Sequence, residues 1–160
     1  GWAILLGYTV LQLAAHEASH IATFRAFGRR PDRVGFKLNF GVFPAVYVRM
    51  NDSHLLLPRE KFIVHSAGLL ANSLIASVFI AANWGIQSDP ATLAASVFAF
   101  GLWANSMPIL RSDGHKSLLA LLDIVERRKL RDNPKLVIWL YTASWVVAGF
   151  LSLVALNRLI

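Results

Sequence analysis

His16-Glu17-Ala18-Ser19-His20 is the segment from which the architecture of this chain can be worked out, because this H-E-x-x-H sequence lies inside a long apolar run. In an α-helix, residues four positions apart share one face, so His16 and His20 can offer two imidazole nitrogens to one zinc ion. Glu17 lies beside them, where a carboxylate can take a proton from water that the metal activates. A buried polar network is the alternative interpretation. Such side chains are costly inside a membrane and usually mark function there, so the apolar context favours the metal site.

The composition is that of a polytopic membrane protein. Of the 160 residues 56 % are hydrophobic and the mean hydropathy is +0.51, which is too apolar for a soluble domain of this size. The sequence contains no cysteine, which excludes disulfide bonds and thiolate metal sites. The chain begins with Gly1 and not with Met, so we expect a trimmed or excised sequence, and no cleavable signal peptide is predicted.

Four apolar segments predict an all-α membrane protein with about four transmembrane helices, in a single domain over residues 1–160. The predicted spans are residues 2–27, 62–84, 91–110 and 136–156. The H-E-x-x-H sequence lies in the C-terminal half of the first span. In the second span Asn72 lies among small residues, and an amide in hydrocarbon needs a hydrogen-bonding partner. Pro108 is expected to break or kink the end of the third span.

Two connecting segments carry further predictions. Residues 36–50 are rich in aromatic and β-branched residues and predict two short strands, a β-hairpin-like insertion after the first helix. Such an edge could hold an extended substrate by strand addition, and a plain amphipathic connector is the alternative. Residues 116–130 form an amphipathic stretch that we expect to lie at the membrane surface.

The basic residues are distributed asymmetrically along the chain. With four spans, segments 25–61 and 111–135 lie on the same side of the membrane, and they hold every Lys and Arg except Arg158. The positive-inside rule makes that side cytosolic, so both termini point outward. Only about 10 Å of helix separates His20 from Phe27, at about 1.5 Å per residue. The predicted metal site therefore lies within the membrane but nearer the cytosolic face.

A second motif lies at the end of the third span. Asn105-x-x-Pro108-x-x-x-x-Asp113-Gly114 follows the H-E-x-x-H sequence in an arrangement that resembles the site-2 protease family of intramembrane zinc metalloproteases. The motif of that family typically reads N-x-x-P-x-P-x-L-D-G. The two departures in this chain are Leu110 for the second Pro and Ser112 for the Leu.

The intervening span carries a third, weaker match, to the G-P-x-x-N pattern of the same family. Gly68 and Asn72 match this pattern, and Leu69 stands in place of the Pro. The resemblance covers nearly the whole chain, and its departures fall outside the metal and acid–base positions.

The resemblance implies a zinc endopeptidase with a three-helix catalytic core that cleaves transmembrane or membrane-adjacent segments. It implies that Asp113 is the third protein ligand beside the two histidines, with one zinc ion per chain, and that the motif's glutamate is the general base. Asn72 and Asn105 become candidates for holding the substrate backbone or stabilising an oxyanion. The expected partners are a membrane-embedded protein or peptide substrate and the lipid bilayer.

Other classes of function explain the sequence less completely. A non-proteolytic zinc-binding membrane module, such as a regulator or transporter subunit, would gain nothing from Glu17 as a general base. A proton-coupled carrier that uses Glu17 and His16 would leave the motif at 105–114 without a role. Nucleic-acid binding is disfavoured because membrane topology explains the positions of the basic residues.

Overall fold

A computed structural model of the chain describes residues 1–39, 43–109, 112–127 and 129–157. The elements in chain order are α1 (Trp2–Ala26), β1 (Arg33–Asn39), β2 (Phe43–Arg49), α2 (Pro58–Ile86), α3 (Asp89–Ser106), α4 (Asp113–Leu121) and α5 (Lys135–Asn157). Short 3-10 helices at Asn51–Leu55 and Leu130–Asp132 complete the described elements. The prediction of a mostly helical chain with a small hairpin is therefore confirmed.

The boundaries of α2 follow from its local sequence. Pro58 occupies the first helical position, where its missing N–H costs nothing, and Glu60 accepts a hydrogen bond from the Leu57 N–H at 2.9 Å. Among the described residues, α2 is the helix that is long and apolar enough to cross a membrane, while Lys135–Val147 of α5 is a shorter apolar stretch. Only one helix of the described residues has this length and composition, so the four-span topology stays a prediction.

The third predicted span differs from the structure at its C-terminal end. The predicted end is residue 110, whereas α3 ends at Ser106. Met107 is extended, with ψ of 140°, because the ring of Pro108 displaces the preceding residue from the helical region. Residue 110 lies outside the described part of the chain, and so do residue 111 and the Arg158 of the charge argument.

The segment predicted to form two strands is an antiparallel hairpin. Val34 of β1 lies opposite Val48 of β2, and Lys37 lies opposite Ala45. The connection at 40–42 lies outside the described residues. Strand β2 contacts α1, which places the hairpin beside the helix that carries the two histidines.

The amphipathic stretch predicted at 116–130 is helical only in its first part. Helix α4 ends at Leu121, and Asp123 takes a left-handed conformation with φ of 52°. Residues 122–127 are not helical, and residue 128 lies outside the described chain. The location of this stretch at a membrane surface stays a prediction.

Helix α1 packs against α2 and α3, and α4 packs against α2. The buried face of α1 repeats at intervals of four residues and consists of Tyr8, Gln12, His16, His20 and Phe24. Three of these five side chains are an amide or an imidazole, so α1 directs polar groups inward, toward the helices that pack on it. The polar face of α1 and the start of α4 thereby meet at the surface of α2.

Candidate metal centre

The two histidines of the H-E-x-x-H sequence lie one turn apart on α1 and are buried. Their exposed fractions are 8 % for His16 and 5 % for His20, and their Nε2 atoms are 3.1 Å apart. Regular helix geometry brings residues i and i+4 together on one face, and the orientations of the two rings then set the distance between their Nε2 atoms.

Asp113 joins the histidines from a position 97 residues further along the chain than His16. It is the first residue of α4, and Ser112 caps this helix by accepting a hydrogen bond from the His115 N–H. The Asp113 Oδ2 atom lies 2.8 Å from His16 Nε2 and 3.5 Å from His20 Nε2. Two elements that are remote in sequence therefore bring together three atoms that could bind one metal ion.

These three atoms have the spacing that a tetrahedral zinc site requires. Zinc–nitrogen and zinc–oxygen bonds of about 2.0–2.1 Å place neighbouring ligand atoms about 3.3 Å apart. The separations among His16 Nε2, His20 Nε2 and Asp113 Oδ2 are 2.8, 3.1 and 3.5 Å. The residues present therefore fit zinc, and two imidazoles with one carboxylate leave a fourth position open, as catalytic zinc sites do.

Helix α2 holds the far side of both imidazole rings. His20 Nδ1 lies 2.6 Å from the backbone carbonyl oxygen of Val64, to which a protonated Nδ1 donates. This bond leaves Nε2 of a neutral His20 with its lone pair free to bind a metal. His16 Nδ1 lies 3.2 Å from Nδ2 of Asn72. Both rings are thus oriented by groups of α2.

Gly68 allows α2 to approach the two rings this closely. A Cβ atom at this position would lie 2.5 Å from His16 Cε1 and 2.6 Å from His20 Nε2. Both distances are far shorter than van der Waals contact, so a side chain here would displace the imidazoles. The absence of a side chain at Gly68 is therefore part of the site.

Asn105, at the end of α3, forms two hydrogen bonds with Asp113, one through each polar atom of its side-chain amide. Its Nδ2 donates to Asp113 Oδ2 at 3.1 Å, and its Oδ1 accepts from the Asp113 N–H at 3.2 Å. Lys116 Nζ lies 3.0 Å from the other carboxylate oxygen, Oδ1. Burial raises the pKa of Asp113, but its contacts with the side chains of His16 and His20 and the positive charge of Lys116 outweigh burial and hold that pKa well below its usual range. The carboxylate is therefore ionised, as a metal ligand must be.

Glu17 is placed beside the three ligand residues and is not one of them. It is half-buried, and its carboxylate lies within electrostatic range of His16, His20, Asp113 and Lys116. A carboxylate that is partly exposed and next to the candidate metal position can exchange protons with water there.

Two residues in or next to the candidate metal centre are not predicted from the sequence. Lys116, which holds the second oxygen of Asp113, stands in the sequence as one more basic residue of a charged segment. Gln12 is only 1 % exposed and donates to the Tyr8 hydroxyl at 2.7 Å. The burial of Gln12 could have been predicted from the sequence, because this residue lies four positions before His16 and therefore on the same helical face.

Comparison with known proteins yields one informative similarity. No protein-family model matches the chain. The chain is 41 % identical over 138 residues to a protein of Bacillus subtilis (strain 168) that bears the name "Putative peptide zinc metalloprotease protein YydH". The alignment covers 86 % of this chain and 55 % of that relative, so the chain spans about half the length of the relative.

Proposed function

We propose that this chain is a zinc-dependent endopeptidase of the site-2 protease type, which cleaves transmembrane or membrane-adjacent segments of proteins or peptides. The observation that carries the proposal is the meeting of Asp113 with His16 and His20 at 2.8 and 3.5 Å. The name of the Bacillus subtilis relative independently supports a zinc-dependent peptidase. The proposal that cleavage takes place within the membrane is supported by the two paired motifs and by the distribution of polar side chains.

The chain's own residues can carry out peptide hydrolysis around one zinc ion. His16, His20 and Asp113 would hold the zinc ion, which would supply the polarisation of a peptide carbonyl and the acidification of water. Glu17 takes a proton from the attacking water and passes it to the leaving amine, so that the C–N bond breaks and a carboxylic acid and an amine result. The Nδ1 contacts of the two histidines and the hydrogen bonds of Asn105 keep the three ligands in place during this step.

The polarity of the helices supports a site inside a membrane. The buried face of α1 carries Gln12, His16 and His20, while Leu70 and Leu74 of α2 are 68 % and 67 % exposed. Polar groups inside and apolar groups outside are expected where the solvent is a lipid. We therefore retain the predicted topology of four spans, with segments 25–61 and 111–135 cytosolic and the site nearer that face.

The hairpin offers a way to present a substrate. Among the described residues β1 and β2 pair only with each other, so each strand has one edge that can accept an extended peptide backbone. Peptide bonds in a helix are shielded, and a substrate has to unwind before attack. Strand β2 contacts α1, so a peptide bound at this hairpin lies close to the helix that carries Glu17. Asn105 and Asn72 are the candidates for contacts to the substrate backbone or to an oxyanion.

The test is to measure zinc content and proteolysis on the same preparations of the detergent-purified chain. We expect about one zinc per chain in the wild type, a sharp loss of zinc in Asp113→Ala, and wild-type zinc in the control Asp89→Ala, whose side chain is exposed on α3. Glu17→Gln is expected to keep its zinc and to lose at least about 100-fold in cleavage of fluorescently labelled casein, an unfolded substrate, because it lacks a general base.

Three results would contradict the proposal. Zinc that is indifferent to Asp113→Ala would separate the two motifs, and full proteolysis by Glu17→Gln would remove the assigned role of Glu17. Stoichiometric zinc without proteolysis by the wild type on any casein or membrane-protein substrate would favour the alternative of a non-proteolytic zinc-binding membrane module.

A further inference from the structure

The contact between Asn72 and His16 is built differently from the contact on the other metal-ligating histidine. Behind His20 stands the Val64 carbonyl, which can only accept a hydrogen bond. Behind His16 stands a side-chain amide, with Asn72 Nδ2 at 3.2 Å from His16 Nδ1. An amide can either donate or accept, so the two rings are not held in the same way.

A neutral imidazole carries one hydrogen, and its position decides which nitrogen can bind a metal. His16 Nε2 is the atom that lies 2.8 Å from Asp113 Oδ2 and faces His20 Nε2. For this nitrogen to be a ligand, the hydrogen has to be on Nδ1. A protonated Nδ1 needs an acceptor, and the Asn72 amide is the polar side-chain group within hydrogen-bonding distance of it in the described structure.

The side-chain oxygen of Asn72 can accept a hydrogen bond from His16 Nδ1–H. Its Oδ1 atom is buried and makes no hydrogen bond among the described residues. The oxygen and nitrogen of an amide exchange places by a half-turn about the last side-chain bond, with little change of shape. With Oδ1 turned toward the ring, the buried oxygen gains a partner and the His16 Nδ1–H gains an acceptor.

We propose that Asn72 is a positioning residue that selects the metal-binding tautomer of His16, by accepting a hydrogen bond from Nδ1–H. This inference rests on the zinc site of the proposed function, and it replaces the role of oxyanion donor for this residue. The two roles exclude each other on geometric grounds, because Nδ1 and Nε2 lie on different edges of the ring. An amide that is engaged with Nδ1 lies behind the imidazole and away from the position where a substrate carbonyl would bind.

Two substitutions at this position separate the roles. Asn72→Leu keeps the approximate volume and removes all hydrogen bonding, whereas Asn72→Asp keeps an acceptor and removes the donor. If Asn72 orients His16, we expect Asn72→Leu to lower zinc affinity about 10- to 100-fold, in line with the loss of other groups that orient metal-ligating histidines. Asn72→Asp is expected to bind zinc at least as tightly as the wild type.

The measurement is a competition titration of the full detergent-purified chain with zinc against a chromophoric chelator. The absorption spectrum of the Co²⁺-substituted chain provides a second readout, because it reports coordination geometry even where affinity changes little. Asn83→Leu is the matched control, since this asparagine is also on α2 but bonds to Thr92 at the far end of the helix. We expect wild-type affinity and a wild-type cobalt spectrum from this control.

The possible outcomes are distinct. Wild-type zinc affinity and cobalt spectrum in Asn72→Leu, with a fall in kcat alone, would overturn the inference and restore the oxyanion role. A loss of affinity in both Asn72→Leu and Asn72→Asp would also overturn it, because Asp retains the acceptor. A wild-type chain that binds no zinc would overturn the proposed function and this inference together, whereas tight wild-type binding with an indifferent Asn72→Leu would overturn the inference alone.

Discussion

The two halves of the candidate metal centre are held in place by different features of the fold. The histidine half consists of His16 and His20 on α1 with the groups of α2 behind them, and a regular helix sets its spacing. The aspartate half consists of the described residues 105–109 and 112–116, where α3 ends at Ser106 and α4 begins at Asp113. One half depends on helix periodicity, and the other depends on where two helices end and begin.

This difference shows where each half can fail. Asn105 donates one hydrogen bond to the Asp113 carboxylate and accepts another from the Asp113 N–H, and Ser112 caps α4, so a displaced backbone moves Asp113 itself away from the histidines. The histidines keep their spacing as long as α1 is helical, and only their ring orientation can be disturbed. We therefore expect the aspartate half to respond most strongly to backbone changes, and the histidine half to respond to changes in packing on the rings.

The largest effect is expected for Gly114→Ala in the aspartate half. A Cβ atom there would overlap the carbonyl oxygen of Ser106, which is backbone and has little freedom to move. Overpacking of this kind costs about 1–3 kcal/mol or more, and the displaced α4 would carry Asp113 away from the histidines. Thermal unfolding and zinc content in detergent should show a lower Tm and a loss of zinc close to that of Asp113→Ala. The control is Gly101→Ala on α3, where a Cβ meets nothing within 4 Å. Wild-type Tm and zinc in Gly114→Ala would show that the aspartate half is more tolerant than its geometry indicates.

A smaller effect is expected for Gly68→Ala in the histidine half. The atoms nearest to its Cβ would belong to the two imidazole rings, so we expect the rings to tilt while the helices persist. We expect zinc affinity to fall about 10- to 100-fold, as for other changes in the groups that orient metal ligands, with most of the Tm retained. Gly85→Ala on the same helix is the control, since a Cβ there meets open space. If Gly68→Ala unfolded the chain as readily as Gly114→Ala, the proposed contrast between the two halves would be wrong.

The smallest effect is expected for Lys116→Met. Lys116 Nζ lies 3.0 Å from Asp113 Oδ1, but the Lys side chain is 50 % exposed, and water screens such a pair. Exposed ion pairs contribute about 1 kcal/mol or less, so zinc affinity should stay within about fivefold of the wild type in the same competition titration. A change as large as that of Gly68→Ala would show that Lys116 holds the carboxylate more firmly than its exposure indicates.

Parts of the site could be predicted from the sequence because they depend on local periodicity. The shared face of His16 and His20 follows from a spacing of four residues in an apolar helix. The same spacing extends back to Gln12, which the motif does not include and which is nevertheless buried. Composition also indicates the hairpin, which is predicted at 36–50 from its β-branched and aromatic residues and lies at 33–49 in the structure.

Other features could not be predicted because they depend on contacts between distant elements. The sequence indicates Asp113 as a metal ligand only through a resemblance, since no local pattern brings it within 2.8 Å of His16. The predicted span ends at residue 110, four residues beyond the end of α3 at Ser106, while the predicted break at Pro108 agrees with that end. The role of Gly68 in the approach of α2 to the imidazoles is visible only when both helices are present.

The sequence by itself determined the helical periodicity, the pair of histidines and the hairpin, because those properties arise from interactions over a few residues. Only the tertiary structure decided which group lies behind each imidazole and which oxygen of Asp113 faces them. Those choices depend on how α1, α2 and α4 pack, and a contact across 97 residues is fixed by the packing of whole helices and not by any short pattern.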